Sequence, residues 1–87
     1  MKKTFAQLVK EKGYSSISKL ALDMKTSPSQ FYNMIGHSPR KGTCEKIALH
    51  TGWDLVEIRD CFMVDHIAKE MRLYGCPESE IQTWMES

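Results

Sequence analysis

The sequence carries no alternating run of β-branched residues, which excludes a sheet built on half-buried strands. No stretch approaches the roughly 18 consecutive apolar residues of a membrane span, and the opening residues lack the apolar core of a secretory leader. A cytoplasmic location is therefore expected, with no membrane partner. Cysteines are few. Cys44, Cys61 and Cys76 are odd in number, far apart and without a C-x-x-C pair, so neither a disulfide framework nor a zinc ribbon is expected. Cys44 with His50, and Cys61 with His66, are isolated pairs that fall short of a ligand set, and no metal or cofactor is expected. A Gly-rich phosphate loop, G-x-S-x-G and H-E-x-x-H are all missing, and His37, His50 and His66 lie in separate segments. Without a convergent acid, base and nucleophile, the chain is not expected to be an enzyme.

What is present suits one small globular domain: 87 residues, 41% apolar and 26% charged. The formal net charge of +1 hides an asymmetry. Residues 1–46 hold nine Lys and Arg against three acids, a net +6, whereas residues 47–87 hold three against eight, a net −5. A basic half joined to an acidic half points to one side that faces phosphate and one turned away from it.

Helical punctuation recurs along the chain. Thr4 and Gln7 form a T-x-x-Q capping box, Phe5, Leu8 and Val9 share a face, and Gly13 closes the helix. Ser16 caps a second helix with Ile17, Leu20, Ala21 and Met24 at i, i+3, i+4, i+7. Ser27 caps a third, with Pro28 at its first position, Gln30 completing S-x-x-Q, Phe31, Met34 and Ile35 inward and Gly36 at its end. Thr43 starts a fourth helix that stops at Gly52, and Asp54 with Glu57 opens a fifth. The pattern then runs from Phe62 to Gly75, either as one long helix or after a break near Val64 and Asp65. Pro77 begins a last short helix. The expected class is all-α.

Only Lys25, Thr26 and Ser27 separate the second apolar pattern from the third, and so short a connection makes two helices cross steeply. The run SISKLALDMKTSPSQFYNMIG, followed by the loop GHSPRKGT, resembles the helix-turn-helix of the Xre and lambda-repressor-like (Cro/C1-type) family. Leu20-Ala21, Met24, Ser27, Phe31 and Met34 match the family's motif positions, and the resemblance covers about residues 4–62. It departs at Lys25, where the family usually has glycine in the turn, and at Ile35, where the family often has an acid. The resemblance implies a five-helix DNA-binding domain over 1–62 with a C-terminal helical extension over 63–87. It implies a double-stranded DNA operator as partner and a transcriptional regulator of phage, plasmid or bacterial type, most often a repressor.

With Phe31, Met34 and Ile35 inward, Pro28, Ser29, Gln30, Tyr32 and Asn33 are left to read bases. Asn and Gln suit adenine, Ser several bases, and apolar faces the thymine methyl. No Arg stands on this helix, so a preference for A·T is expected where it reads. Gln30 is either a reader or bonded back to Ser27, and Tyr32 is either a reader or a packing residue. Expected phosphate contacts are Lys19, Lys25, Thr26 and Ser27 before the helix and His37, Ser38, Arg40, Lys41 and Thr43 after it, with Lys2 and Lys3 as a basic arm. The apolar positions Ile67, Met71, Tyr74, Ile81, Trp84 and Met85 are many for a short tail. They either cover the chain's own core or form a homodimer contact, the latter fitting the two half-sites of a helix-turn-helix dimer. No ligand domain is visible, and no small-molecule ligand is expected. The competing expectation is a protein-interaction module, antitoxin-like or an adaptor, that uses the same fold without reading DNA.

Overall fold

The computed structural model describes residues 2–87. They form six α-helices and, among the described residues, no strand: α1 (Phe5–Glu11), α2 (Ile17–Asp23), α3 (Pro28–Met34), α4 (Lys41–Thr51), α5 (Leu55–Leu73) and α6 (Glu78–Glu86). The all-α class holds.

The starts of α1, α2 and α5 follow capping chemistry, whereas α3, α4 and α6 have no side-chain cap bond. Thr4 Oγ1 accepts the Gln7 N–H at 3.2 Å while Gln7 Oε1 accepts the Thr4 N–H at 2.9 Å, so two otherwise unpaired donors are satisfied reciprocally. Ser16 and Asp54 accept N–H bonds from Lys19 and Glu57 and begin α2 and α5 in the same way. The box expected at Ser27 and Gln30 does not form. Ser27 Oγ pairs with Ser29 Oγ at 2.7 Å, and Gln30 Oε1 accepts the Thr26 hydroxyl at 2.6 Å instead. Nor does α4 start at Thr43: it begins two residues earlier, at Lys41, with Arg40 as an N-cap that offers no side-chain bond.

The turn from α2 to α3 spans residues 24–27. Thr26 N–H returns to the Ala21 carbonyl at 2.9 Å and Lys25 N–H to that of Leu22 at 3.0 Å, the paired bonds of a Schellman ending. That ending needs a left-handed residue, and Lys25 supplies it at φ 57°, alone among the described non-glycine residues. A side chain in this region crowds its own carbonyl, so Lys25→Gly is expected to stabilise the fold by about 0.5–1 kcal/mol after the added freedom of the unfolded glycine is subtracted. Thermal unfolding followed by circular dichroism should show a melting temperature several degrees higher.

The core is gathered around an aromatic stack. The Phe5 ring lies 4.3 Å from that of Phe62, 18° off parallel, and 6.2 Å from that of Phe31, which joins α1, α5 and α3. Leu8, Leu20, Ile47 and Ile58, each fully buried, complete the interior, with Cys44 and Cys61 as small buried members, free thiols as expected. Burial pushes the Cys61 thiol up to about 11, which keeps it unreactive.

Nineteen residues long, α5 extends about 28 Å, in a molecule 37 Å across at its longest. Val64 and Asp65 do not interrupt it, and it runs straight through residue 62. Asp65 has a use inside the helix: its Oδ2 accepts the N–H of Phe5 at 3.0 Å, capping α1 from across the core. Burial raises the Asp65 carboxyl above its usual range, and the Phe5 N–H opposes that shift. A second strut joins α2 to α4 and to the α1–α2 connection. Asp23 Oδ2 accepts the Tyr14 hydroxyl at 2.7 Å and lies 3.1 Å from His50 Nε2, and these two contacts hold its carboxyl below the ordinary range. No helix among the described residues is long and apolar enough to cross a membrane.

Candidate nucleic-acid interface

The backbone of α3 packs against α2 and approaches no other helix closely. Of its seven residues only Phe31 is buried, while Pro28 and Met34 are half-buried. An α-helix turns about 100° per residue, so Ser29 and Asn33 stand on the crest opposite Phe31. Tyr32 leans toward α2, where its hydroxyl lies 3.3 Å from Ser18 Oγ, and it is 51% exposed. Gln30 lies on the other flank. Its carbonyl oxygen holds Thr26, which leaves the amide NH₂ and a second lone pair to offer.

Between α3 and α4 runs a trough made of two confluent grooves of about 810 and 340 Å³, both lined by Gln30, Met34 and Thr43. One end holds Lys25, Thr26 and Lys46; the other holds Asn33, His37, Ser38 and Arg40. Most of the residues expected on either side of the reading helix are thus brought together along one channel. Lys19, Lys25, Arg40 and Lys46 form no ion pair among the described residues. Lys41 reaches only the exposed Glu45, at 3.8 Å, a pair of little strength. Lys46 was not singled out by sequence. Its place three residues after Thr43 on α4 was the available signal, and it is the packing of α4 that sets it beside Lys25.

The loop after α3 is fixed from below. His66 Nδ1 lies 3.0 Å from the Gly36 carbonyl, and its Nε2 lies 3.1 Å from a Glu70 carboxylate oxygen and 3.4 Å from Ser38 Oγ. His66 is therefore a tether for residues 36–38 rather than a surface side chain. Gly36 itself has φ 94° and is crowded by the Lys69 side chain, so a Cβ there would meet both strain and an obstruction.

Lys19, Ser27 and Lys41 do not line the trough, and two further expected phosphate contacts, Lys2 and Lys3, are bound elsewhere. Lys2 is bound to the end of α6: its N–H donates to the Met85 carbonyl at 2.8 Å, and its ammonium donates to the Trp84 carbonyl at 3.1 Å and to Ser87 Oγ at 2.8 Å while lying over the Trp84 ring. The carbonyls at a helix C-terminus form the negative end of its dipole, which draws an ammonium in. Lys3 pairs with Glu11 at 2.6 Å, a bond that raises the ammonium and lowers the carboxyl from their ordinary ranges. The basic arm is thus folded down, away from the trough.

The C-terminal apolar residues mostly serve the chain itself. Ile81 is 1% exposed where α6 packs on α5, so it has nothing left to offer a second copy. Ile67, Met71, Trp84 and Met85 are half-buried, and only Tyr74 stands out in solvent. Among the described residues no three His, Cys, Asp or Glu side chains gather closely enough to hold a metal ion. The chain matches no family model, no curated protein and no solved structure.

Proposed function

We propose that this chain is a sequence-specific double-stranded DNA-binding regulator, most simply a repressor of phage, plasmid or bacterial type that occupies an operator as a dimer and excludes polymerase. The observation that carries the reading is α3 itself: a short helix delivered by a tight left-handed turn, one residue buried, a polar crest outside, and unpaired cations along both ends of the trough beside it. In helix-turn-helix geometry α2 lies across the backbone and the start of α3 enters the major groove. Ser29 and Asn33 then face base edges, with Gln30 beside them and Pro28 and Tyr32 toward the α2 side. Asn33 and the free amide of Gln30 suit adenine, and α3 carries no Arg for guanine, so A·T-rich half-sites are expected. Lys25, Lys46, Arg40, Lys41 and His37 supply the sequence-independent attraction to phosphate. The acids of α5 and α6 belong to the side turned away.

Selection of bound duplexes from a random pool tests this directly. Enrichment of an A·T-rich, two-fold symmetric site, with affinity falling steeply with salt, is the expected result. Recovery of sequences no different from the starting pool at moderate salt would reject it. That outcome would favour the protein-interaction reading, which draws on Leu22 and Leu49, 62% and 87% exposed at the C-terminal ends of α2 and α4.

A further inference from the structure

Thr26 stands among the expected phosphate contacts, yet its hydroxyl proton is already committed. A threonine hydroxyl has one proton to donate, and a phosphate oxygen, like an amide oxygen, can only accept. Thr26 gives that proton to Gln30 Oε1 at 2.6 Å. It has none left for a DNA backbone while it holds Gln30. We propose that Thr26 is a positioning residue for base reading: it locks the Gln30 amide in one orientation over the trough and makes no phosphate contact of its own.

The post is rigid, and the side chain that it holds is not. Thr26 N–H closes on the Ala21 carbonyl at 2.9 Å, next to the left-handed Lys25, so the turn itself fixes the backbone under Thr26. Branching at Cβ restricts its χ1 as well. Gln30, in contrast, is an exposed side chain with several free torsions, and it lines both of the confluent grooves. Left alone it would sample many rotamers, all but one of which would be given up on binding. Anchoring Oε1 from Thr26 removes much of that freedom beforehand. The box with Ser27, which would turn Gln30 back onto the helix start, is not formed. The anchor also leaves the reading edge intact. A bidentate adenine contact uses Nε2–H together with one Oε1 lone pair, and a carbonyl oxygen has two. A hydroxyl donating to the other lone pair polarises the amide and makes Nε2–H the better donor. The inference rests on the operator-binding reading and deepens it, by assigning what sets the geometry of one reader.

Thr26→Val removes the hydroxyl and keeps the branched shape, whereas Thr26→Ser keeps the hydroxyl. In the free protein, heteronuclear relaxation of the Gln30 side-chain NH₂ is expected to show an ordered amide in the wild type and in Thr26→Ser, and a more mobile one in Thr26→Val. With DNA, the full chain selects a site from a random duplex pool, and competition against single-base variants of that site finds the base pair at which Gln30→Ala loses discrimination. Thr26→Val is expected to relax discrimination at that same base pair by about 2- to 10-fold, the cost of ordering one long side chain at an interface. It should change nothing at the other base pairs. Thr26→Ser should match the wild type, and Thr26→Val should add nothing in the Gln30→Ala background. Circular dichroism shows that each variant is folded. The proposal is overturned by a Gln30 amide equally ordered in Thr26→Val, or by the absence of any base pair at which Gln30→Ala matters. It is overturned equally by a Thr26→Val loss shared by all duplexes, the mark of a phosphate contact, or by effects of the two variants that add. A wild-type chain that selects no site rejects the operator-binding reading and this inference with it, whereas a selected site read without regard to Thr26 rejects this inference alone.

Discussion

Replacing Phe5 by alanine is expected to remove about 3–5 kcal/mol of stability, the range for emptying an aromatic site in a packed core. Phe5 is fully buried and its ring is the middle member of a three-ring stack, so truncation opens a hole that α1, α3 and α5 all line. A domain of this length holds roughly 4–13 kcal/mol in total, so the loss is about a quarter of the fold's stability at the least. Thermal unfolding by circular dichroism should show a fall of at least about 12 °C. Phe5→Leu, which keeps most of the apolar volume, should cost much less. A loss under about 1 kcal/mol for the alanine variant would mean that the stack is not the centre of the core.

Asn33→Ala is expected to act on binding and leave the fold alone. Asn33 lies on the crest opposite Phe31, and alanine is the better helix former, so the melting temperature should hold or rise slightly. A bidentate contact to adenine contributes about 1–3 kcal/mol of discrimination, so preference at one position of the selected site should relax by about 5- to 150-fold. Lys46→Ala or Lys41→Ala should instead weaken every duplex alike and lower the salt slope by about one. Competition binding of the selected site against single-base variants, at several salt concentrations, separates the two outcomes. If Asn33→Ala weakens all duplexes equally, the crest of α3 is not the reading surface.

Local chemistry was the part of the fold most legible in the sequence. The Thr4–Gln7 box, the caps at Ser16 and Asp54 and the glycine ends at Gly13 and Gly52 depend on residues a few positions apart, and each forms as read. Ser27 and Gln30 show the limit of the same signature. Thr26 stands next to the cap and is an equally good donor for Gln30, and a three-residue spacing cannot tell which hydroxyl wins. Asp65 looked like a possible break because its partner, the Phe5 N–H, is 60 positions away in sequence. Lys2 and Lys3 were grouped with the other cations because a charge count does not know that the N-terminal segment lies on α6. The trough, its Lys46 and the His66 tether exist only once α4 and α5 are packed. Patterns within a helix were visible, whereas contacts between helices had to be seen.

The single buried residue of α3 has a consequence for how such a protein can change over generations. Ser29, Gln30, Tyr32 and Asn33 are exposed and can be substituted without opening a cavity, and neither the aromatic stack nor the α4–α5 packing depends on them. New preferences in whatever this helix touches are thus open to point substitution at almost no folding cost, while the scaffold stays under strict constraint. Rapid divergence at Ser29, Gln30, Tyr32 and Asn33, beside near-invariance at Phe5, Phe31 and Phe62, is the pattern such an arrangement would leave among descendants.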